Sequence, residues 1–291
     1  MNYRAVIRVI ICLSMIFAAL PWGAAEAQVK KAPLTKITVL VPGPSAIGTL
    51  NFWVAVGEGY FKDEGLECNW EAVDGSSQVL QGLAAGKAQI GRPGPGPLLA
   101  ARGRGLDAVF LYNLYPKSQF GLVVKEKSSY KVPRDLKGRV IGVGTADGGE
   151  AAFIRSVLTD AGMKEGADYT FLVVGDGGMA AAAFIRGDIE AYAASLFDAA
   201  TITVRGVSLR EITPEKFLSY FGSGFVAMAP YIKENPDVIK GFGRAIVRGT
   251  RFAMEKANRK KVLQYCQKGN PQEGEETALA SALIDNVLDR I

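Results

Sequence analysis

The residues that could contact a small ligand lie in short loops rich in glycine, serine and threonine. One loop carries Ser45, Gly48 and Thr49, and another carries Ser76 and Ser77. Each loop follows an apolar run and precedes a predicted helix, so its hydroxyl and backbone N–H groups are available to a polar ligand. The same residue types also cap helices, and both roles can hold at one position. The pattern predicts binding of a small polar molecule.

Arg92 is the charged residue whose position is most informative. It directly follows a strand predicted over residues 88–91, and the three prolines between residues 93 and 97 would hold its loop rigid. A guanidinium group that points inward suits a carboxylate, sulfonate or phosphate, whereas an exposed arginine is the alternative. Trp53 stands near the start of a helix predicted over residues 51–61 and is a candidate for a pocket wall or for the core.

A third loop contains Thr145, Asp147 and Glu150. Its glycines lack the spacing of a dinucleotide-binding loop. Asp147 and Glu150 have the spacing of a capping box, which would satisfy the helix N-terminal amides internally. An anion about 6 Å from one carboxylate would be destabilised by about 3 kcal/mol at an effective dielectric constant near 20. The loop therefore favours a neutral, cationic or aromatic ligand, or an anion that is held by Arg92 instead.

These loops belong to a β-loop-α pattern that occurs twice, over residues 37–112 and again over residues 139–200. Each half is long enough for its own mainly parallel sheet flanked by helices. Open α/β sheets bind ligands at the carboxyl ends of their strands, which is where these loops lie. The sequence thus predicts an α/β protein with two sheets, each with candidate binding loops at the carboxyl ends of its strands.

Composition excludes several classes of function. The 291 residues include no histidine, which removes histidine-based catalytic triads and most zinc sites, so no metal or cofactor is predicted. The net charge of +5 is spread along the chain, and the basic cluster at residues 256–261 has no interleaved aromatic residues. Nucleic-acid binding is therefore not expected. Cys68 and Cys266 could pair in an oxidising compartment or remain two separately buried thiols.

The amino terminus has the pattern of a cleavable signal peptide over residues 1–27. Arg4 and Arg8 precede an apolar run at residues 9–20, and small residues stand at the expected cleavage site. About twelve apolar residues are too few to span a bilayer, so a retained membrane anchor is the weaker alternative. We expect an exported, periplasmic protein without stable membrane insertion.

Two segments, EGYFKDEGL at residues 58–66 and GLAAGKAQIG at residues 82–91, carry a resemblance to a known family. They resemble the solute-binding proteins of ABC transporters of the nitrate, sulfonate and taurine type, and the similarity continues more loosely to about residue 255. Receptors for thiamine pyrimidine precursors share the fold of that family. The resemblance implies a two-lobed periplasmic-binding-protein fold of type II, with the ligand in a cleft between lobes that close by hinge motion.

The resemblance also implies a division of the chain and a set of cleft residues. Lobe 1 would comprise residues 35–116 plus 222–291, and lobe 2 would comprise residues 117–221. In similar proteins the first two loops line the pocket and the loop at Thr145 holds an oxyanion, which the acidic residues here disfavour. A dipeptide that is acidic and then aromatic also faces the cleft. Here Leu196 replaces the acidic member, so the resemblance does not specify which ligand head group is recognised. Phe197 is a candidate pocket wall or a core residue.

The function implied is that of an exported receptor, without catalytic activity, that captures a small organic molecule and delivers it to ABC permease subunits. The ligand would be neutral, aromatic, or an anion paired with Arg92. Two alternatives remain at this point. An enzyme of the same fold is one, although the chain lacks histidine and shows no paired nucleophile and base. A receptor that serves a sensor or another type of transporter is the other.

Overall fold

Alternating strands and helices build two five-stranded sheets in the computed structural model, which describes residues 33–288 and 290–291. Residues Leu34–Ile291 form one compact unit. The predicted signal peptide, residues 1–27, lies outside the described residues. Within the part of the chain that is described, no helix combines the length and the apolar character needed to cross a membrane.

The described residues form ten strands. They are β1 (Thr35–Pro42), β2 (Leu66–Val73), β3 (Ile90–Gly91), β4 (Ala108–Asn113), β5 (Phe120–Lys125), β6 (Arg139–Val143), β7 (Tyr169–Val173), β8 (Ala191–Ser195), β9 (Leu209–Glu211) and β10 (Gly224–Met228). The first sheet has the order β2-β1-β3-β10-β4, and the second has the order β7-β6-β8-β5-β9. In each sheet three adjacent strands are parallel, and one strand (β10 or β5) is antiparallel to both its neighbours. The prediction of two mainly parallel sheets is confirmed.

Helices flank both sheets. Among the described residues the α-helices are α1 (Leu50–Gly57), α2 (Tyr60–Asp63), α3 (Gly75–Ala84), α4 (Pro95–Gly103), α5 (Gly149–Asp160), α6 (Gly178–Arg186), α7 (Leu196–Val204), α8 (Glu215–Leu218), α9 (Ala229–Glu234), α10 (Pro236–Met254), α11 (Arg259–Gly269) and α12 (Thr277–Leu288). Short 3₁₀ turns lie at Ile47–Thr49, Pro133–Leu136, Lys256–Asn258 and Pro271–Gly274.

Helices on both faces of the first sheet explain why the second half of β1, from Val39 to Val41, is continuously apolar. Ile37 and Val39 pack on one face of the sheet in a cluster with Phe242 of α10. Leu40 packs on the other face in a cluster with Leu83 of α3. Side chains alternate across a strand, so a strand covered by helices on both faces needs apolar residues at nearly every position.

The chain passes between the two sheets twice, from β4 to β5 and from β9 to β10. The two connecting segments run next to each other. The Gly222 N–H donates to the Tyr115 carbonyl at 2.7 Å, and the Tyr115 N–H donates to the Ser223 carbonyl at 3.3 Å. These paired crossings place the loops at the carboxyl ends of both sets of parallel strands around one cavity.

Cys68 and Cys266, the cysteines among the described residues, are separate thiols, as the second of the two alternatives predicted, although Cys68 is only half-buried. Cys68 lies on β2 and packs against the cluster that contains Phe242. Cys266 lies on α11 and is buried in a different cluster with Val262. Burial raises the pKa of both thiols, which makes them poor nucleophiles.

Close packing of α1 against α10 generates a stability prediction. Gly249 lies where an added Cβ would overlap the backbone carbonyl of Asn51, whereas a Cβ on Gly243 of the same helix would meet nothing within 4 Å. Gly249→Ala should therefore destabilise the fold by about 1–3 kcal/mol, or roughly 5–10 °C in Tm. Gly243→Ala should raise Tm slightly, because alanine favours helix more than glycine does. Thermal melts that show equal Tm values for the two variants would contradict this packing.

Candidate ligand-binding cleft

A cavity of about 550 Å³ lies among six loops. Three loops follow β1, β2 and β3 of the first sheet, and three follow β6, β7 and β8 of the second sheet. Loops of the two sets touch each other at glycines. A Cβ built on Gly94, after β3, would lie 2.7 Å from the Cα of Gly149, after β6. Only residues without a side chain allow this approach, so the two glycines bring the walls of the cavity together.

Arg92 is a buried cation on the cavity wall. Its side chain is 6% exposed, and burial lowers the pKa of its guanidinium from the usual value. No carboxylate among the described residues forms an ion pair with it, and its Nε has no hydrogen-bond partner there. An arginine stays charged even when it is buried, so this wall carries an uncompensated positive charge.

The two crossing segments hold the guanidinium of Arg92. Its Nη1 donates to Ser223 Oγ at 2.9 Å, and this hydroxyl donates to Gln119 Oε1 at 2.7 Å. Its backbone N–H donates to the Leu40 carbonyl at 2.9 Å, which anchors the loop to β1. Ser76 Oγ accepts the N–H of Gly94 at 3.0 Å and fixes the next turn of the same loop. Arg92 is therefore preorganised by neutral groups.

The loop after β1 is already occupied by a carboxylate of the protein itself. Glu273, from the turn Pro271–Gly274, accepts the N–H groups of Ala46 at 2.8 Å and Ile47 at 2.9 Å through Oε2. The Ser45 hydroxyl also bonds to this carboxylate. Burial raises the pKa of Glu273, and these three hydrogen bonds oppose that rise. The amides of this loop are thus satisfied internally.

The second sheet contributes three carboxylates to the cavity, which we call the acidic wall: Glu150, Asp176 and Asp198. Each follows one of the adjacent parallel strands β6, β7 and β8. Asp198 is 8% exposed and accepts the Gly177 N–H at 3.0 Å and the Ser195 hydroxyl at 2.6 Å. Glu150 and Asp176 also line the cavity, and their carboxylates accept longer hydrogen bonds than Asp198 does. Glu150 accepts the Thr145 N–H and Asp176 accepts the Tyr192 hydroxyl, each at 3.4 Å.

Burial and mutual repulsion make this wall hard to ionise fully. Burial raises the pKa of Glu150 to about 7, and the charges of Asp198 and Asp176 add to the rise. The pKa of Asp176 rises to about 6, through loss of water around it and repulsion by Asp198, although its side chain stays open to the cavity. Burial also raises the pKa of Asp198. Ionisation of all three would place like charges together with no basic side chain paired to them among the described residues, and repulsion opposes it.

Six of the ten residues predicted for the site line this cavity. They are Ser45, Gly48, Ser76, Arg92, Thr145 and Phe197. Phe197 also packs against Gly48, since a Cβ on that glycine would lie 3.4 Å from the phenyl ring. The two residues come from opposite sets of loops, so this contact closes another edge of the cavity.

The other four predicted residues lie elsewhere. Thr49 is buried, and its hydroxyl is 3.5 Å from the Ala46 carbonyl. Trp53 packs in the core, with its ring centroid 5.5 Å from that of Trp70. Ser77 and Asp147 line a separate groove of about 660 Å³ between α3, α4 and α5. The placement of these four does not support contact with a ligand in the cavity.

The predicted capping box at Asp147 and Glu150 is wrong. Helix α5 begins at Gly149, one residue before Glu150. Its N-cap is therefore Gly148, which has no side chain to cap the helix, and not Asp147. The Glu150 carboxylate accepts the Thr145 N–H at 3.4 Å. The Asp147 carboxylate turns away and packs against the backbone of Gly75. Glu150, not Asp147, therefore brings its carboxyl group to the cavity.

Sequence reasoning missed Asp176, Asp198 and Glu273 as cavity residues. A signal existed for the first two, because each lies shortly after a predicted strand: Asp176 between two glycines, and Asp198 three residues after Ser195. No local sequence signal indicated Glu273, because it bonds to the loop after β1 from more than 220 positions away along the chain. Among the described residues, no group of three or more His, Cys, Asp or Glu side chains is arranged to hold a metal ion.

The raised pKa of Glu150 generates a pH prediction. The folded protein keeps a proton on this carboxyl up to about pH 7, whereas in the unfolded chain the proton is lost near the ordinary value of 4.5. Stability from this group is therefore present at low pH and decreases as pH rises from about 4.5 to 7. Glu150→Gln should remove this loss of stability. Between pH 5 and pH 8, the Tm of the variant should therefore decrease by roughly 5 °C less than the Tm of the wild type does.

Thermal melts across this pH range check the prediction for Glu150. The matched control is Glu234→Gln, which replaces an exposed glutamate on α9. It should keep the pH dependence of the wild type. Identical slopes of Tm against pH for Glu150→Gln and the wild type would show that Glu150 is not protonated in the folded state.

Comparison with known proteins places the chain in a family and a fold. Residues 48–259 match the family described as NMT1/THI5 like. The crystal structure of the periplasmic aliphatic sulphonate binding protein SsuA from Escherichia coli superposes with a TM-score of 0.68 at 20% identity, covering 88% of this chain and 84% of that one. This similarity shows a shared periplasmic-binding-protein fold, which confirms the predicted fold class.

Two curated proteins are also similar in sequence. One, from Escherichia coli strain K12, is assigned the binding of aliphatic sulfonates and is 28% identical over 176 residues, which is 60% of this chain and 53% of that protein. The riboflavin-binding protein RibY from Chloroflexus aurantiacus is 25% identical over 230 residues, which is 78% of this chain and 64% of that protein. The chain thus spans less than two thirds of either relative. The family match covers most of the chain and confirms the resemblance seen at residues 58–66 and 82–91: the chain belongs to the NMT1/THI5-like family.

Proposed function

We propose that this chain is an exported receptor that captures a small organic solute in the cavity and delivers it to an ABC importer. The observation that carries the proposal is Arg92, a buried cation that has no anionic partner in the part of the chain that is described and lies on the wall of a cavity of about 550 Å³. Pockets that bind small molecules combine such a volume with a few placed polar groups. Delivery to ABC permease subunits follows from the resemblance to importer receptors.

We propose the lobe boundaries predicted above, with residues 35–116 plus 222–291 as lobe 1 and residues 117–221 as lobe 2. Sheet membership supports them, because the strands of each sheet fall within one of the two sets. The adjacent crossing segments are suited to act as a hinge, since few residues there need to change conformation when the lobes open. The contacts at Gly94 and Gly149 are then the contacts that opening would break.

The proposal is one of binding without turnover. The chain contains no histidine that could activate a nucleophile, and the Ser195 hydroxyl, which donates to Asp198 at 2.6 Å, belongs to the capping box of α7. The relatives named above are described as binding proteins. Incubation of the bound solute with the purified protein should return it unchanged by mass spectrometry, and a converted product would contradict the proposal.

Export is proposed from the amino-terminal sequence. Cleavage after Ala27 should release a protein that begins at Gln28. Amino-terminal sequencing of the protein from the periplasm of an expressing Gram-negative host tests this. A periplasmic fraction without the protein, or a chain that still begins at Met1, would contradict export by a cleaved signal.

The ligand proposed here carries an acidic group that reaches Arg92. A thermal-shift panel of sulfonates, aromatic acids, nitrate, pyrimidines and riboflavin tests this on the purified protein. An anionic ligand at about 100 times its Kd should add about 2.7 kcal/mol of stability, or roughly 5–10 °C in Tm. Arg92→Met should weaken its binding by about 100-fold, because the anion would lose a desolvated charge partner.

The control for Arg92→Met is Arg251→Met, which removes the same charge from an exposed position on α10. It should leave the affinity unchanged. An anionic ligand that binds Arg92→Met as tightly as the wild type would remove Arg92 from the site. A panel in which no acidic compound raises Tm would contradict the proposed ligand class.

A further inference from the structure

Resting on the proposed function, we propose that Glu273 is a specificity-determining residue that acts as an internal ligand. Its carboxylate occupies the position at which the loop after β1 could bind an anion, so the acidic group of an incoming molecule is left with Arg92. A residue of the segment between α11 and α12 thereby decides which of two loops receives the ligand.

The loop after β1 has hydrogen-bond donors that converge on the Glu273 carboxylate. The N–H groups of Ala46 and Ile47 donate to its Oε2 at 2.8 and 2.9 Å, and the Ser45 hydroxyl also bonds to the carboxylate. Adjacent backbone N–H groups that point the same way form the kind of concavity in which proteins bind anions. Ala46, the N-cap of the turn Ile47–Thr49, makes no side-chain capping hydrogen bond of its own. Glu273 therefore satisfies donors that a separate anion could also satisfy.

These donors are what stabilise the charge of Glu273. Within the described part of the chain, no lysine or arginine forms an ion pair with it. Burial raises the pKa of its carboxyl group, and the hydrogen bonds from Ser45, Ile47 and Ala46 oppose that rise. A partly buried carboxylate without a cationic partner is tolerated where such donors are placed for it. The loop thus binds Glu273 as it would bind the carboxylate of another molecule.

The segment that carries Glu273 is also held by contacts that do not involve this carboxylate. Asn270 donates through Nδ2 to the Pro44 carbonyl at 3.3 Å, and Glu276 pairs with Arg205 at 2.8 Å. Helix α12, which follows, packs apolar side chains into the same buried cluster as the loop after β1. Removal of the Glu273 carboxylate should therefore leave the segment in place and open the loop donors to the cavity, which Glu273 lines.

The cavity thus has two positions suited to an anion, and Glu273 leaves one of them open. The loops after β1 and β3 both line the cavity, and these two strands are adjacent in the first sheet. At the loop after β1 a second anion would meet atoms already in place and a charge of the same sign. Arg92, after β3, has an Nε without a hydrogen-bond partner among the described residues. Specificity of this kind comes from closing a competing position.

Acetate tests the occupancy of the loop on the purified protein. Glu273→Ala removes Cγ, Cδ and both carboxylate oxygens, which correspond to the heavy atoms of acetate. In Arg92→Met/Glu273→Ala, acetate at about ten times its Kd should raise Tm by roughly 3–5 °C relative to chloride at the same ionic strength. Arg92→Met alone should show no such shift. Arg92→Met/Glu275→Ala, which removes an exposed glutamate two positions further along, is the matched control and should show none either.

The dependence of binding on Arg92 tests whether this occupancy determines specificity. Calorimetric titrations with propanesulfonate and with benzoate measure the effect of Arg92→Met in two backgrounds. In the wild type it should weaken binding by about 100-fold, whereas in Glu273→Ala it should weaken binding by less than about tenfold, because the opened loop can accept the acid. Glu273→Gln should retain the larger effect, since its amide still fills the position. A purely structural role of Glu273 would lower Tm without changing the effect of Arg92→Met.

Two results would overturn the role of Glu273. One is the absence of an acetate shift in Arg92→Met/Glu273→Ala, and the other is an equal effect of Arg92→Met in the wild type and in Glu273→Ala. Should Glu273→Ala fail to fold, Glu273→Ser, which leaves nearly the same space, replaces it in both experiments.

The two proposals fail in different ways. Binding that depends on Arg92 equally with and without Glu273 supports the receptor and overturns only the role of Glu273. If no acidic compound binds the wild type, the proposed ligand class of the receptor is overturned. An acetate shift in Arg92→Met/Glu273→Ala would then still support Glu273 as an internal ligand of the loop.

Discussion

The uncompensated charge of Arg92 is the constraint on which the arrangement of the cavity depends. Burying a cation without a charged partner is costly, and the hydrogen bond that Arg92 donates to the neutral Ser223 hydroxyl, itself bonded to Gln119, reduces this cost only in part. An anion that binds next to Arg92 would offset the rest of this free-energy cost. The residues that hold Arg92 lie on the two segments that connect the sheets. The charge of a ligand would thus act, through one side chain, on the segments that connect the two sheets.

The two sheets share a topology but present opposite charge to the cavity. Three parallel strands followed by three loops occur in each, with Arg92 in the first set and the acidic wall in the second. Glu273 adds a further constraint, because its carboxylate occupies the amides of the loop after β1. An acidic ligand group would be repelled there. Arg92 therefore remains as the position that would attract it.

Local pattern predicted most of the fold. The apolar run at β1, the turns after each strand and the repeated β-loop-α order indicated two mainly parallel sheets, because periodicity and turn residues are local properties. Arg92 was predicted for the same reason, as it directly follows β3. The direction of side chains within a loop was not predictable. Asp147 and Glu150 are three residues apart, and only the packing of Asp147 against Gly75 shows which one faces the cavity. Glu273 depends on tertiary structure alone.

The most direct test of the account is a crystal structure of the protein with the tightest-binding acidic compound from the panel. The account predicts the acidic group of the ligand within hydrogen-bond distance of the Arg92 guanidinium, with Glu273 still bonded to Ala46 and Ile47. An acidic group bound instead at the loop after β1 or at the N-terminus of α5, with Arg92 left unpaired, would contradict the central claim.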